Sequence, residues 1–224
     1  MLGALLFFSC TIAPDRHVFR AAGEINPFET REPFIITDFN NYASGGFIPE
    51  WVSRYLSGGL LEVEAMDYYR GYHVFISHNE GINFTALTHW SNGFDTELDF
   101  PRLAAARIEK RYSSNISNPD NEYGSLYEAL IRAASDAYWY GAQREEDFWI
   151  RKMYITDEDA DLEENELPES SDETWEFLIL VTIEKHLFAS QLENVFRNVK
   201  ASPNPTKDQV AAANRVRDRF FEGF

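Results

Sequence analysis

The chain has 224 residues, 44% of them hydrophobic and 15% aromatic, which is enough for one packed domain and too apolar for a disordered chain. Its 37 acidic against 20 basic residues give a formal net charge of -17, which argues against a basic patch for nucleic acid or an anionic lipid surface. A lone cysteine, Cys10, excludes an internal disulfide framework and any cysteine-rich zinc site.

The first nine residues, MLGALLFFS, are uncharged and apolar, and Cys10 follows at once. This pattern looks like a signal-peptide h-region ending in a lipobox, with an apolar N-terminal tail or core strand and an incidental thiol as the alternative. Leu6-Phe7-Phe8-Ser9-Cys10 resembles the relaxed lipobox of spirochaetal lipoproteins, with small Ser9 before the cysteine. The resemblance implies lipidation of Cys10 and an acyl anchor that tethers a folded domain without spanning the bilayer. No basic n-region precedes Leu2, so the true start is expected upstream. Residues 10–46 then read as lipidated cysteine and tether, because Pro14, Gly23, Pro27, Pro33 and Gly45-Gly46 punctuate them and only Phe34 to Thr37 looks like a short strand.

A single domain is expected over 47–224. Pro49 opens a short helix that Gly58-Gly59 stop, and Leu61 to Met66 is ambiguous. Tyr72 to Ser77 reads as a strand with a turn at 78–81. Asn83 caps a helix ended by Gly93, and Asp99 with Pro101 opens a second. In that second helix, Leu103, Ala104, Ala106 and Ile108 form a narrow apolar face, whose alanines imply close approach to a neighbour. A longer helix covers about Glu122 to Tyr140. Phe148 to Ile155 alternates as a strand. The run Thr174 to Leu187 is apolar, rich in β-branched and aromatic residues and free of Gly and Pro, so it reads as the central strand, with a buried helix as the alternative. The two strands would form an antiparallel hairpin with an acidic tip, 157–173, and no basic residue lies between Lys152 and Lys185. Helices at Phe188 to Val199 and from Thr206 to Phe221 finish the chain. The fold class is therefore α+β, a small, mostly antiparallel sheet covered by helices, two of them C-terminal.

Chemistry is sparse. Asp157, Asp159 and Asp161 are spaced like the start of an EF-hand, but Leu162 stands where Gly is needed and Pro168 where the bidentate Glu belongs, so these carboxylates are weak metal candidates only. His17, His73, His78, His89 and His186 form no zinc signature, and His73 and His186 read as structural. No nucleophile elbow, phosphate loop or dinucleotide fingerprint occurs, and no catalytic residue or cofactor is assigned. Tyr138, Trp139, Tyr140, Phe148 and Trp149 read as core packing where the long helix meets the sheet, with a sugar-binding surface as the alternative.

The order of segments carries a further resemblance. Pro49-Glu50-Trp51, the Tyr72 to Ser77 strand with Asn79-Glu80-Gly81, the helix Arg102 to Ile108, and the aromatics Phe148-Trp149 and Trp175-Glu176-Phe177 follow one another over about residues 48 to 190. This resembles the family of small bacterial outer-membrane lipoproteins that includes the flagellar assembly lipoproteins. It implies a unit of one or two layers, no cofactor, no enzymatic activity and a role in envelope assemblies. The expectation is an exported lipoprotein of the cell envelope with a structural or protein-interaction role. The alternative is a soluble or periplasmic binding module that uses the acidic tip and an aromatic surface to take a cation, a glycan or a basic protein. The partners expected are a membrane reached through the acyl anchor and an envelope protein, with a second copy of the chain as a further candidate, but no nucleic acid.

Overall fold

The apolar run forms a strand, Glu173–Glu184, in which every residue from 176 to 183 is buried. Continuous burial of a strand requires cover on both faces. The computed structural model describes residues 18–19, 34–41, 43, 45–115, 121–154, 173–199, 207 and 214, and of 18–19, 111–115 and 121–127 only the backbone. In chain order the elements are β1 (Val18–Phe19), β2 (Phe34–Phe39), α1 (Glu50–Gly58), α2 (Leu60–Glu64), a 3-10 turn (Asp67–Tyr69), β3 (Tyr72–Gly81), α3 (Phe84–Asn92), α4 (Thr96–Asn115), α5 (Asn121–Asp136), β4 (Gln143–Tyr154), β5 (Glu173–Glu184) and α6 (Lys185–Asn198). The described strands make one antiparallel sheet in the order β1-β2-β4-β5-β3.

The period of two along β5 divides its side chains between two cores. Ile179, Val181 and Ile183 join Phe75 under α4, α5 and α6, with Phe100, Ile108, Leu130, Phe188 and Leu192 as the large contributors. Leu178 and Leu180 join Phe148, Ile150 and Val74 under α1 and α2, where Trp51, Val52 and Leu56 pack. Each such side chain contributes about 1.5–3 kcal/mol on burial. The result is α+β with three layers, one more than the resemblance implies. Ala104 and Ala134 are both fully buried in the first core, and their small size lets α4 and α5 approach closely.

Several boundaries differ from the sequence reading. The tether is shorter than 10–46: β2 pairs with β4 from Phe34↔Tyr154 to Phe39↔Ile150, and Phe34, Ile36 and Phe39 are buried in the second core. Its apolar positions were legible, but their partner lies more than a hundred residues away. β3 runs through the expected turn to Gly81, because β5 continues beside it to Trp175 and supplies a partner at every position. α4 begins before Asp99: Asp95 Oδ1 accepts the N–H groups of Glu97 and Leu98, and Asp99 Oδ2 accepts the N–H of Asp95. Pro101 therefore stands inside the helix. α5 stops at Asp136, where Trp139 Nε1 folds back to donate to the Ala134 carbonyl. β5 ends at Glu184 and α6 starts directly after it. The second C-terminal helix expected from Thr206 lies outside the described residues apart from isolated positions.

Candidate functional site

The end of the sheet reached by Tyr154 and Glu173 carries different chemistry on its two faces. On the α1 side the alternation Phe148, Ile150, Lys152, Tyr154 places a lysine where an apolar residue is expected. Lys152 is 4% exposed, and Glu176 beside it on β5 is 2% exposed. Lys152 Nζ lies 2.8 Å from Glu176 and 2.7 Å from Glu80. Tyr154 and Thr174 donate to the other Glu80 oxygen at 2.6 and 2.8 Å. The rings of Phe34 and Tyr154 stand 5.2 and 5.0 Å from Nζ. Burial works against the charge on Lys152, but the Glu176 charge and the hydrogen bonds to Glu176 and Glu80 outweigh it and lift Lys152 above its ordinary value. Burial likewise raises Glu80, and the bonds from Lys152, Tyr154 and Thr174 overturn that and hold it below the ordinary carboxylate range. Tyr154 is raised, by burial and by its donation to Glu80. These groups bind β3, β4 and β5 together, and both oxygens of Glu80 are already engaged inside the fold.

The opposite face of the same end is aromatic. Trp149 and Trp175 lie 5.1 Å apart edge to face, and Phe84 at the start of α3 stands 4.6 Å from Trp175 and 5.4 Å from Trp149. Phe177 closes the cluster beneath Phe84. Arg151 lies over the Trp175 ring at 5.2 Å and pairs with Glu173, whose other oxygen takes the Thr37 hydroxyl. The two tryptophans are half-buried, Phe84 is 37% exposed, and Ile82 beside it is 79% exposed. The register explains the cluster: Trp149 faces Phe177 and Arg151 faces Trp175 across the β4–β5 ladder.

A second charged group sits at the outer edge of β3. Glu64 from α2 accepts from Arg107 of α4 at 2.6 and 3.0 Å and from the Val74 N–H at 2.7 Å, while Arg107 also donates to the Val74 carbonyl at 2.8 Å. Arg107 lies 3.2 Å from His73 Nδ1. The same Nδ1 lies 3.5 Å from Glu64 Oε1, so it accepts from the guanidinium in one tautomer and donates to the carboxylate in the other. Burial raises the Glu64 carboxyl, but bonds from His73, Arg107 and Val74 together with the Arg107 charge bring it down to about 2. His73 is lowered by burial first, and the Arg107 charge adds to this against the opposing bond to Glu64. Below this clamp, β3, α3 and α4 leave a cleft of about 390 Å³, walled by Ser77, Trp90, Phe94, Leu103 and the Asp99–Arg102 ion pair, with His89 at its rim.

Cys10, Asp157, Asp159, Asp161 and His17 lie outside the described residues. Among the described residues no group of three or more His, Cys, Asp and Glu is arranged to hold a metal ion. His73 is buried in the edge clamp, His78 faces Glu176 at 3.7 Å, His89 is exposed, and His186 pairs with Glu184 at 3.2 Å on the surface. The five aromatics expected together are divided: Trp139 is in the first core, Phe148 in the second, Tyr138 and Tyr140 are exposed, and only Trp149 belongs to the surface cluster. Trp175 and Phe84, which complete that cluster, were not singled out as a surface. No family model, curated protein or solved structure matches the chain.

Proposed function

We propose that the chain is a lipid-anchored domain of the cell envelope, held at the outer membrane through acylated Cys10, and that it binds a protein partner through the Phe84–Trp149–Trp175–Arg151 surface. The observation that carries this reading is the partly exposed tryptophan pair with an arginine stacked on it. Tryptophan and arginine are the side chains most enriched where binding energy concentrates at interfaces. Phe84 and Ile82 extend the patch with exposed apolar area. A glycan fits less well, because stacking on a sugar needs an open ring face, and Arg151 and Phe84 stand against Trp175. The acid excess of the chain favours a partner with basic groups around its own apolar centre.

Site-specific photo-crosslinking in the native envelope tests this. A photoreactive residue in place of Phe84 is expected to capture one discrete protein, and Trp175→Ala is expected to abolish the adduct. The same residue in place of exposed Arg132 on α5 should capture nothing. Equal labelling from both positions, or none from position 84, would remove the aromatic surface as the binding site.

A further inference from the structure

β3 is the outer strand of the sheet, and only half of its free edge is closed. Val74 turns its N–H and carbonyl away from β5, and Glu64 and Arg107 occupy both. The β3–β5 register is unbroken from Tyr72 to Gly81, so the residues two apart along the strand, Ile76, His78 and Glu80, also present their N–H and carbonyl groups outward. Among the described residues none of these backbone groups has a backbone partner. An open row of donors and acceptors on a strand edge is a template for another strand.

The side-chain environment selects what could pair there. On one side of the edge, between outward-turned Ile76 and His78, lies the cleft beside Ser77 with its Trp90, Phe94 and Leu103 walls. On the other side stands exposed His78, beside Glu80, whose carboxylate is turned inward to Lys152, Tyr154 and Thr174. An added strand would alternate in the same way, one residue toward the Trp90, Phe94 and Leu103 walls of the cleft and the next toward the opposite face. A second copy of the chain is disfavoured, because each copy carries a formal charge of -17. We infer that the open half of β3, from Ile76 to Glu80, accepts an extended segment of a partner protein in which apolar and basic residues alternate. Backbone bonds would give the affinity, the cleft the preference for apolar residues, and the acid excess of the chain the preference for basic ones. This surface is distinct from the aromatic one and does not depend on it.

The test uses the purified chain and a short, capped, fluorescent peptide of alternating lysine and leucine at physiological salt, read by anisotropy. Two controls separate strand pairing from attraction to an acidic protein. One is the same peptide N-methylated at alternate residues, which keeps the charge and blocks the backbone. The other is a peptide of alternating glutamate and leucine. Binding is expected for the lysine peptide, a loss of roughly tenfold or more on N-methylation, and none for the glutamate peptide. Ile76→Pro removes an outward N–H without touching the ladder to β5 and should weaken binding similarly, as should Leu103→Gln at the cleft wall. Their melting curves report whether each variant folds, and the N-methylated peptide decides the matter if one does not. Equal binding of the methylated peptide, no binding at all, or sedimentation showing the domain paired with itself through β3 would each overturn the inference. Crosslinking from position 84 is unaffected by any of these outcomes.

Discussion

Replacing Glu64 by Gln keeps the shape of the β3 clamp and removes its negative charge. Glu64 is 12% exposed, and its carboxyl is held at about 2 instead of the ordinary 4.5. Each unit of that difference is worth about 1.4 kcal/mol, so the carboxylate contributes about 3 kcal/mol at pH 7. The folded value lies below the unfolded one. The contribution is therefore complete well above pH 4.5 and disappears as pH falls toward 2. Urea unfolding of the natural chain and of Glu64→Gln, at matched pH values from 7 to 3.5, isolates it from the other carboxylates. The gap between the two should be about 3 kcal/mol at pH 7 and about 2 kcal/mol at pH 3.5. A gap under about 0.5 kcal/mol at pH 7, or one that does not narrow with acid, would show that the clamp does not hold the charge as the geometry requires.

Three further outcomes follow from the same packing. Lys152→Met leaves the 2% exposed Glu176 without its cation and should cost about 3–5 kcal/mol by urea unfolding, while Lys152→Met with Glu176→Leu should recover most of that; a double variant as weak as the single would refute the pairing. In a histidine NMR titration His73 should titrate below the ordinary 6.5, and Glu64→Gln should lower it further by removing the Glu64 bond that opposes the shift; a midpoint at or above 6.5 would contradict the burial of the ring. Leu180→Asp buries an unpaired charge at a fully enclosed position of β5 and should abolish the cooperative far-ultraviolet melt; a normal melt would mean the core lies elsewhere.

The parts of the fold written in local pattern were legible in the sequence. Asn83 does cap α3, its Oδ1 accepting the Ala86 N–H at 3.0 Å, and Gly93 ends that helix. The continuous apolar run is a strand buried on both faces, and the antiparallel pairing of β4 with β5 follows from their order. What escaped depends on distant partners. Phe34 to Thr37 looked like a fragment in a tether, because nothing nearby reveals that β4 lies beside it. Thr37 interrupts that pairing at a bulge, which weakens the period-two signal further. The candidate surfaces were less legible still. Lys152 and Glu176 could have been noticed as charges at inward positions of two alternating strands. Glu64, His73 and Arg107 give no such sign, since three separate elements bring them to one strand edge. Trp149 and Trp175 meet only because the register pairs Trp149 with Phe177 and Arg151 with Trp175.

Mass spectrometry of the N-terminal peptide of the native protein tests the central claim of envelope anchoring most directly. The expected result is a mature chain that starts at Cys10 with a diacylglycerol on its sulfur. Unmodified residues retained before Cys10 would contradict the anchor and leave the aromatic surface to be explained in a domain that is not tethered.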